Sequence, residues 1–73
     1  MKYLAYLIEP VPANAKESVY RIILDETASG TYVYLYCSPD AEHASYDEWY
    51  PDTETAKAAW APQIDEKGWI PLN

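Results

Sequence analysis

The sequence is poor in several residue types, and each shortage excludes a class of protein. Its 73 residues include one cysteine, Cys37, which has no internal partner, whereas small secreted domains carry paired cysteines. The only glycines are Gly30 and Gly68, too few for a glycine-rich loop that holds phosphate. No apolar run approaches the roughly 18–20 residues of a transmembrane helix. We therefore expect a cytoplasmic protein with neither a membrane nor a cofactor partner.

Positive charge is also scarce. Five Lys and Arg residues stand against twelve Asp and Glu residues, which gives a formal net charge of −7. Direct binding to nucleic acid is excluded on this ground, because phosphates require a basic footprint. The length predicts a single domain over residues 1–73, since domains average on the order of 150 residues.

Aromatic residues, by contrast, are abundant. Eight tyrosines and three tryptophans compensate for the absence of phenylalanine, and 49% of the residues are hydrophobic, which predicts a folded chain. A domain of this size obtains only about 3–5 kcal/mol from its core. It therefore needs an efficient core or a partner.

Three segments have the β-branched and aromatic enrichment of strands: residues 2–9, 18–26 and 31–38. Residues 27–30 lie between the last two and predict a hairpin turn, because Gly30 can adopt a positive φ. Residues 69–72 predict a short last strand at a sheet edge, since Pro71 cannot donate to a ladder.

One helix is predicted, over residues 53–60. Asp52 is a suitable N-cap, and Ala56, Ala59 and Trp60 form one apolar stripe. Pro62 disfavours helical geometry before it. Residues 39–50 have no clean period and are expected to form a turn of helix or a loop. The predicted fold is α+β: a small two-layer domain with a three- to four-stranded, mostly antiparallel sheet and this helix on one face.

Both faces of the predicted strands are apolar or aromatic. Residues 31–38 place Val33, Leu35 and Cys37 on one side and Tyr32, Tyr34 and Tyr36 on the other. An eight-residue helix is only about 12 Å long and cannot cover both faces. The three tyrosines are therefore the predicted contact face of a homodimer or of another partner. The alternative is a half-exposed tyrosine ladder with its hydroxyls in water.

An acidic and aromatic run over residues 40–54 is the second candidate site. Carboxylates around aromatic anchors suit docking onto a basic protein surface. A solvated loop that keeps the protein soluble is the simpler explanation of such a run. The predicted partner-binding residues are Asp40, Glu42, Tyr46, Asp47, Glu48, Trp49, Tyr50 and Asp52.

Catalytic and metal sites are not expected. Cys37 and His43 could pair as nucleophile and base, but no third group that would orient them is evident. One Cys and one His also fall short of a zinc set, even with Asp40 or Glu42. Arg21, a lone charge in an apolar strand, is expected at the sheet rim or paired with Asp25.

The sequence thus predicts a small acidic protein-interaction module that is not an enzyme and acts as a homodimer or as a stoichiometric binder or inhibitor of a basic protein. Two alternatives remain open. One is a small-ligand-binding protein with a pocket lined by Tyr and Trp, near Trp60 and Trp69. The other is an acidic mimic of nucleic acid that inhibits a nucleic-acid-binding protein.

Overall fold

Five strands form one antiparallel sheet in the computed structural model, which describes residues 1–72. The strand order is β4-β3-β2-β1-β5, so β4 and β5 are the edges. The elements in chain order are β1 (Lys2–Pro12), β2 (Ser18–Thr27), β3 (Gly30–Tyr36), β4 (Tyr46–Tyr50), α1 (Thr53–Trp60), a 3₁₀ turn (Ala61–Gln63) and β5 (Ile70–Leu72). The predicted α+β class is confirmed.

The predicted strand count of three to four is too low, because residues 46–50 form β4. We expected a turn of helix or a loop there, since the segment has no helical period. Its aromatic residues suit a pleated strand, and the free edge of β3 pairs with it from Thr31 opposite Tyr50 to Leu35 opposite Tyr46.

The β2–β3 hairpin is confirmed. Thr27 pairs with Gly30 across a turn of two residues, and Gly30 has the positive φ, +130°. The hydroxyl of Thr27 donates to the Gly30 carbonyl at 2.7 Å. Because L-residues rarely adopt this φ, the turn depends on glycine.

β1 bends in its second half, and it runs to Pro12 rather than ending at Glu9. Its register with β2 breaks between Tyr6 and Val11. Strict alternation along β2 would place Tyr20 on the same face as the buried Ile22 and Leu24, but the alternation is interrupted at this end: Val19 is buried and Tyr20 is exposed.

α1 has the predicted bounds and covers one face of the sheet. Asp52 caps it, accepting a hydrogen bond from the Thr55 amide at 2.7 Å. Ala56 and Trp60 are buried one turn apart, whereas Ala59, expected in the same stripe, is exposed. The buried core comprises Ala5, Val19, Ile22, Leu24, Val33, Leu35, Ala56 and Trp60. Among residues 1–72, no helix has the length and apolar character needed to cross a membrane.

Candidate functional site

Within residues 1–72, no helix covers the sheet face opposite α1. Residues that pair directly across an antiparallel sheet share a face, and Arg21, Ile23 and Asp25 pair with the β3 tyrosines. Every residue on this face is half-buried or exposed. We call it the open face, and it comprises Lys2, Leu4, Tyr6, Arg21, Ile23, Asp25, Tyr32, Tyr34, Tyr36, Asp47, Trp49, Ile70 and Leu72.

A row of tyrosines runs through the middle of the open face. The rings of Tyr32 and Tyr34 stack with centroids 6.2 Å apart and planes 14° from parallel. Partial burial raises the pKa of Tyr34 above its ordinary value, and the carboxylates of Asp25 and Asp47 raise it further. The Tyr34 hydroxyl thus lies between negative charges on both neighbouring strands.

A groove of about 680 Å³ lies on this face. Ile23, Tyr34 and Tyr36 line it from the sheet, and residues 42–45 line it from the loop that precedes β4. Its other lining residues are Lys2, Asp25, Tyr46, Asp47 and Leu72. The groove combines aromatic and aliphatic surface with several carboxylates, a composition suited to a ligand that is apolar in part and cationic in part.

Arg21 holds the loop that leads into this groove. Its guanidinium lies 4.4 Å from the centre of the Tyr36 ring. It donates to the backbone carbonyls of Ser38 at 3.2 Å, of Pro39 at 3.1 Å and of Ala41. These carbonyl acceptors are not predictable from the sequence, whereas a lone charge within an apolar strand does single out Arg21.

Two further cations rest on aromatic rings. Lys67 Nζ lies 5.0 Å from the centre of the Tyr6 ring, on the open face. Lys57 Nζ, on α1, lies 4.3 Å from the centre of the Tyr3 ring and 5.8 Å from the centre of the Trp69 ring. The protein thus uses cation–π contacts repeatedly, and two of the rings concerned, Tyr6 and Tyr36, belong to the open face.

The predicted partner-binding run divides between the two sides of the sheet. Asp47 and Trp49 lie on the open face, whereas Tyr46, Glu48 and Tyr50 pair with residues of the helix-covered face. Alternation along β4 causes this division. The run is therefore not one continuous docking surface.

Glu48 and Asp52 have structural contacts. The Glu48 carboxylate accepts hydrogen bonds from Trp60 Nε1 at 3.0 Å and from the Tyr50 hydroxyl at 2.8 Å. Asp52 caps α1. These contacts link β4 to the helix. They account for the presence of Glu48 and Asp52 with no need for a binding partner.

Trp49 is 54% exposed yet has a defined position. Its indole covers Gly30, and its Nε1 donates to the Ser29 carbonyl at 3.2 Å. Among the remaining acids, Asp40 accepts from the Ser38 hydroxyl at 2.8 Å, and Glu42 lines the groove beside His43. Glu42, Asp47 and Trp49 are thus the predicted partner-binding residues available at the open face, and Tyr46 lines its groove as well.

Tyr46 connects β4 to the turn between β1 and β2, and this contact predicts a pH-dependent stability. Its hydroxyl donates to Glu17 at 2.6 Å, which lowers the pKa of Glu17 below 4.5, and Asn14 adds a second bond. The Glu17 bond likewise raises the pKa of Tyr46 above 10.0. A lowered Glu17 pKa stabilises the fold above pH 4.5, and a raised Tyr46 pKa stabilises it below pH 10.0.

We expect the wild type to be more stable than Tyr46→Phe between these two ordinary pKa values. The difference should vanish as pH falls through the lowered pKa of Glu17, and again as pH rises through the raised pKa of Tyr46. Urea denaturation at stepped pH measures it, with Tyr20→Phe as a control. A difference that is constant with pH would contradict this contact.

Cys37 and His43, the nucleophile and base considered above, lie in different surroundings. Cys37 packs against the core, while His43 lines the groove. Within residues 1–72, no three His, Cys, Asp or Glu side chains are grouped so that they could hold a metal ion. Trp60 is buried in the core, and Trp69 packs against that core.

No protein-family model matches the chain, and no curated protein or solved structure does.

Proposed function

We propose that this chain is a non-enzymatic protein-interaction module that binds a basic protein partner on its open face. One observation carries the proposal: within residues 1–72 the five-stranded sheet has one α-helix, and that helix lies on the opposite side. Five strands span about 19 Å between the outer backbones, and an uncovered aromatic face of that width is typical of an interaction surface.

Charge favours a basic partner over a second copy of this chain. Each copy carries a formal charge of −7, so two copies repel one another at long range. Face-to-face pairing would also bring Asp25 and Asp47 of one copy towards the same carboxylates of the other. A basic surface would instead gain from both carboxylates and from the aromatic rings between them.

The alternatives have weaker support. Trp60 packs within the core, which leaves little room for a ligand pocket between it and Trp69. A nucleic-acid mimic needs a continuous row of negative charge, but Asp47 and Glu48 lie on opposite faces of β4. Partner binding at the open face accounts for more of the predicted site residues than either alternative does.

A pair of charge reversals tests the proposal. We expect Asp47→Lys to weaken binding of the native partner about tenfold, or about 1.4 kcal/mol, because it replaces an attractive charge at the face with a repulsive one. Glu54→Lys makes the same change on α1 and should alter affinity by less than about twofold. The partner is captured from native lysate at low and high salt, and its affinity for each variant is then measured by calorimetry.

Equal effects of the two reversals would show that net charge, not the open face, governs binding. Sedimentation velocity addresses self-association. A dimer that forms with increasing concentration and is lost in Tyr34→Ser would assign the face to a second copy, contrary to the proposal.

A further inference from the structure

We propose that the open face contains a subsite for a cationic side chain, arginine or lysine, of the basic partner. The cation would lie against an outer ring face of the stacked Tyr32 and Tyr34 pair, between Asp25 and Asp47. This inference rests on the proposed function and specifies where on the face the partner's charge is bound.

The strand register forms the subsite. Asp47 on β4 lies directly opposite Tyr34, and Asp25 on β2 lies directly opposite Tyr32. The backbones of β2 and β4 are about 10 Å apart, because β3 runs between them. The stacked aromatic pair therefore has one carboxylate on each side.

The open face already holds cations of the protein in this manner. The Arg21 guanidinium lies over Tyr36, and the Lys67 ammonium lies over Tyr6. Tyr32 and Tyr34 stack on each other and present near-parallel rings. A planar guanidinium can lie against such rings while its N–H groups donate to carboxylates at the edge.

The groove can hold the methylene stem of the partner's arginine or lysine. Ile23 and Tyr36 line it with apolar surface suited to a methylene stem, and Tyr34 and Asp47 belong to the same groove. The charged groups facing it are Lys2, Asp25, Glu42, His43 and Asp47. Lys2 lies opposite Asp25 in the register and offsets that carboxylate, so Asp47 is the stronger anchor of the two.

A hexa-arginine peptide is the probe for this subsite, with hexa-glutamate as the negative control. NMR titration of the full chain should show the largest shifts at the Tyr32 and Tyr34 rings and at the Asp25 and Asp47 amides. Tyr34→Leu should weaken binding about tenfold, whereas Tyr34→Phe keeps the ring and should retain the affinity. Asp47→Asn should weaken binding more than Glu54→Gln, which removes one charge from α1.

Two results would overturn the subsite, and they differ in what they imply for the proposed function. Shifts confined to other parts of the open face, unaffected by Tyr34→Leu, would reject the subsite and leave the face as the docking surface. The absence of shifts anywhere on the open face, or equal losses for Asp47→Asn and Glu54→Gln, would reject the subsite and count against the docking surface as well.

Discussion

Replacing Gly30 with alanine is expected to lower the free energy of unfolding by about 3 kcal/mol. Gly30 has φ of +130°, a conformation that L-residues rarely adopt. A Cβ at this position would also overlap the indole ring of Trp49, which covers the glycine. Because a domain of this size has only about 3–5 kcal/mol of core stability, the variant should retain about 2 kcal/mol or less and be partly unfolded near room temperature.

Gly68 is the matched control. Its φ is also positive, +67°, but a Cβ there would meet no atom within 4 Å. Gly68→Ala should therefore cost only about 1–2 kcal/mol, the ordinary cost of the left-handed conformation. Urea denaturation of both variants measures the difference.

A second comparison separates the two causes at Gly30. In a Trp49→Ala background the steric overlap is absent, while the unfavourable φ remains. Gly30→Ala should therefore cost less in that background than in the wild type. Equal costs in the two backgrounds would show that Trp49 does not constrain the turn.

Truncating Trp60 to alanine should cost about 3–5 kcal/mol, the range for large aromatic residues in a core. Trp60 is the largest side chain with which α1 contacts the sheet, and it is 7% exposed. Its Nε1 also donates to Glu48, so the truncation removes the link between α1 and β4. We expect loss of the helical signal in circular dichroism together with the cooperative unfolding transition.

Trp49→Ala is the control for this truncation. Trp49 is 54% exposed, so the same change of side chain removes less buried surface and should cost under about 2 kcal/mol. Trp60→Phe keeps most of the buried ring but removes the N–H donor to Glu48. An intermediate loss is expected for Trp60→Phe, because it removes part of the buried ring together with the hydrogen bond. Similar losses for both alanine variants would contradict the burial difference.

The Trp60 contact also matters for the open face. Glu48 is held towards α1 by Trp60 and Tyr50, and its neighbours along β4 must then point the other way. Asp47 and Trp49 are thereby directed to the open face. A contact in the core thus orients two residues of the proposed docking surface.

The features of this fold that could be predicted from the sequence are mostly local. The Gly30 turn, the Asp52 cap and the bounds of α1 follow from residues adjacent in the chain, because a turn or a cap is a short-range preference of the backbone. The α+β class could also be predicted, because it follows from the strand and helix patterns. So could the fact that one short helix cannot cover both faces of the sheet, because this follows from the helix length.

The pairing of segments distant in the chain could not be predicted from the sequence, because it depends on the folded structure. Residues 46–50 form a strand because their backbone pairs with the edge of β3. No local pattern in residues 46–50 specifies that partner strand. That pairing set the alternation of β4, and so divided the acidic run between two faces. The carbonyls that accept from Arg21 lie 17 to 20 residues away in the chain, and only the folded sheet brings them to its guanidinium.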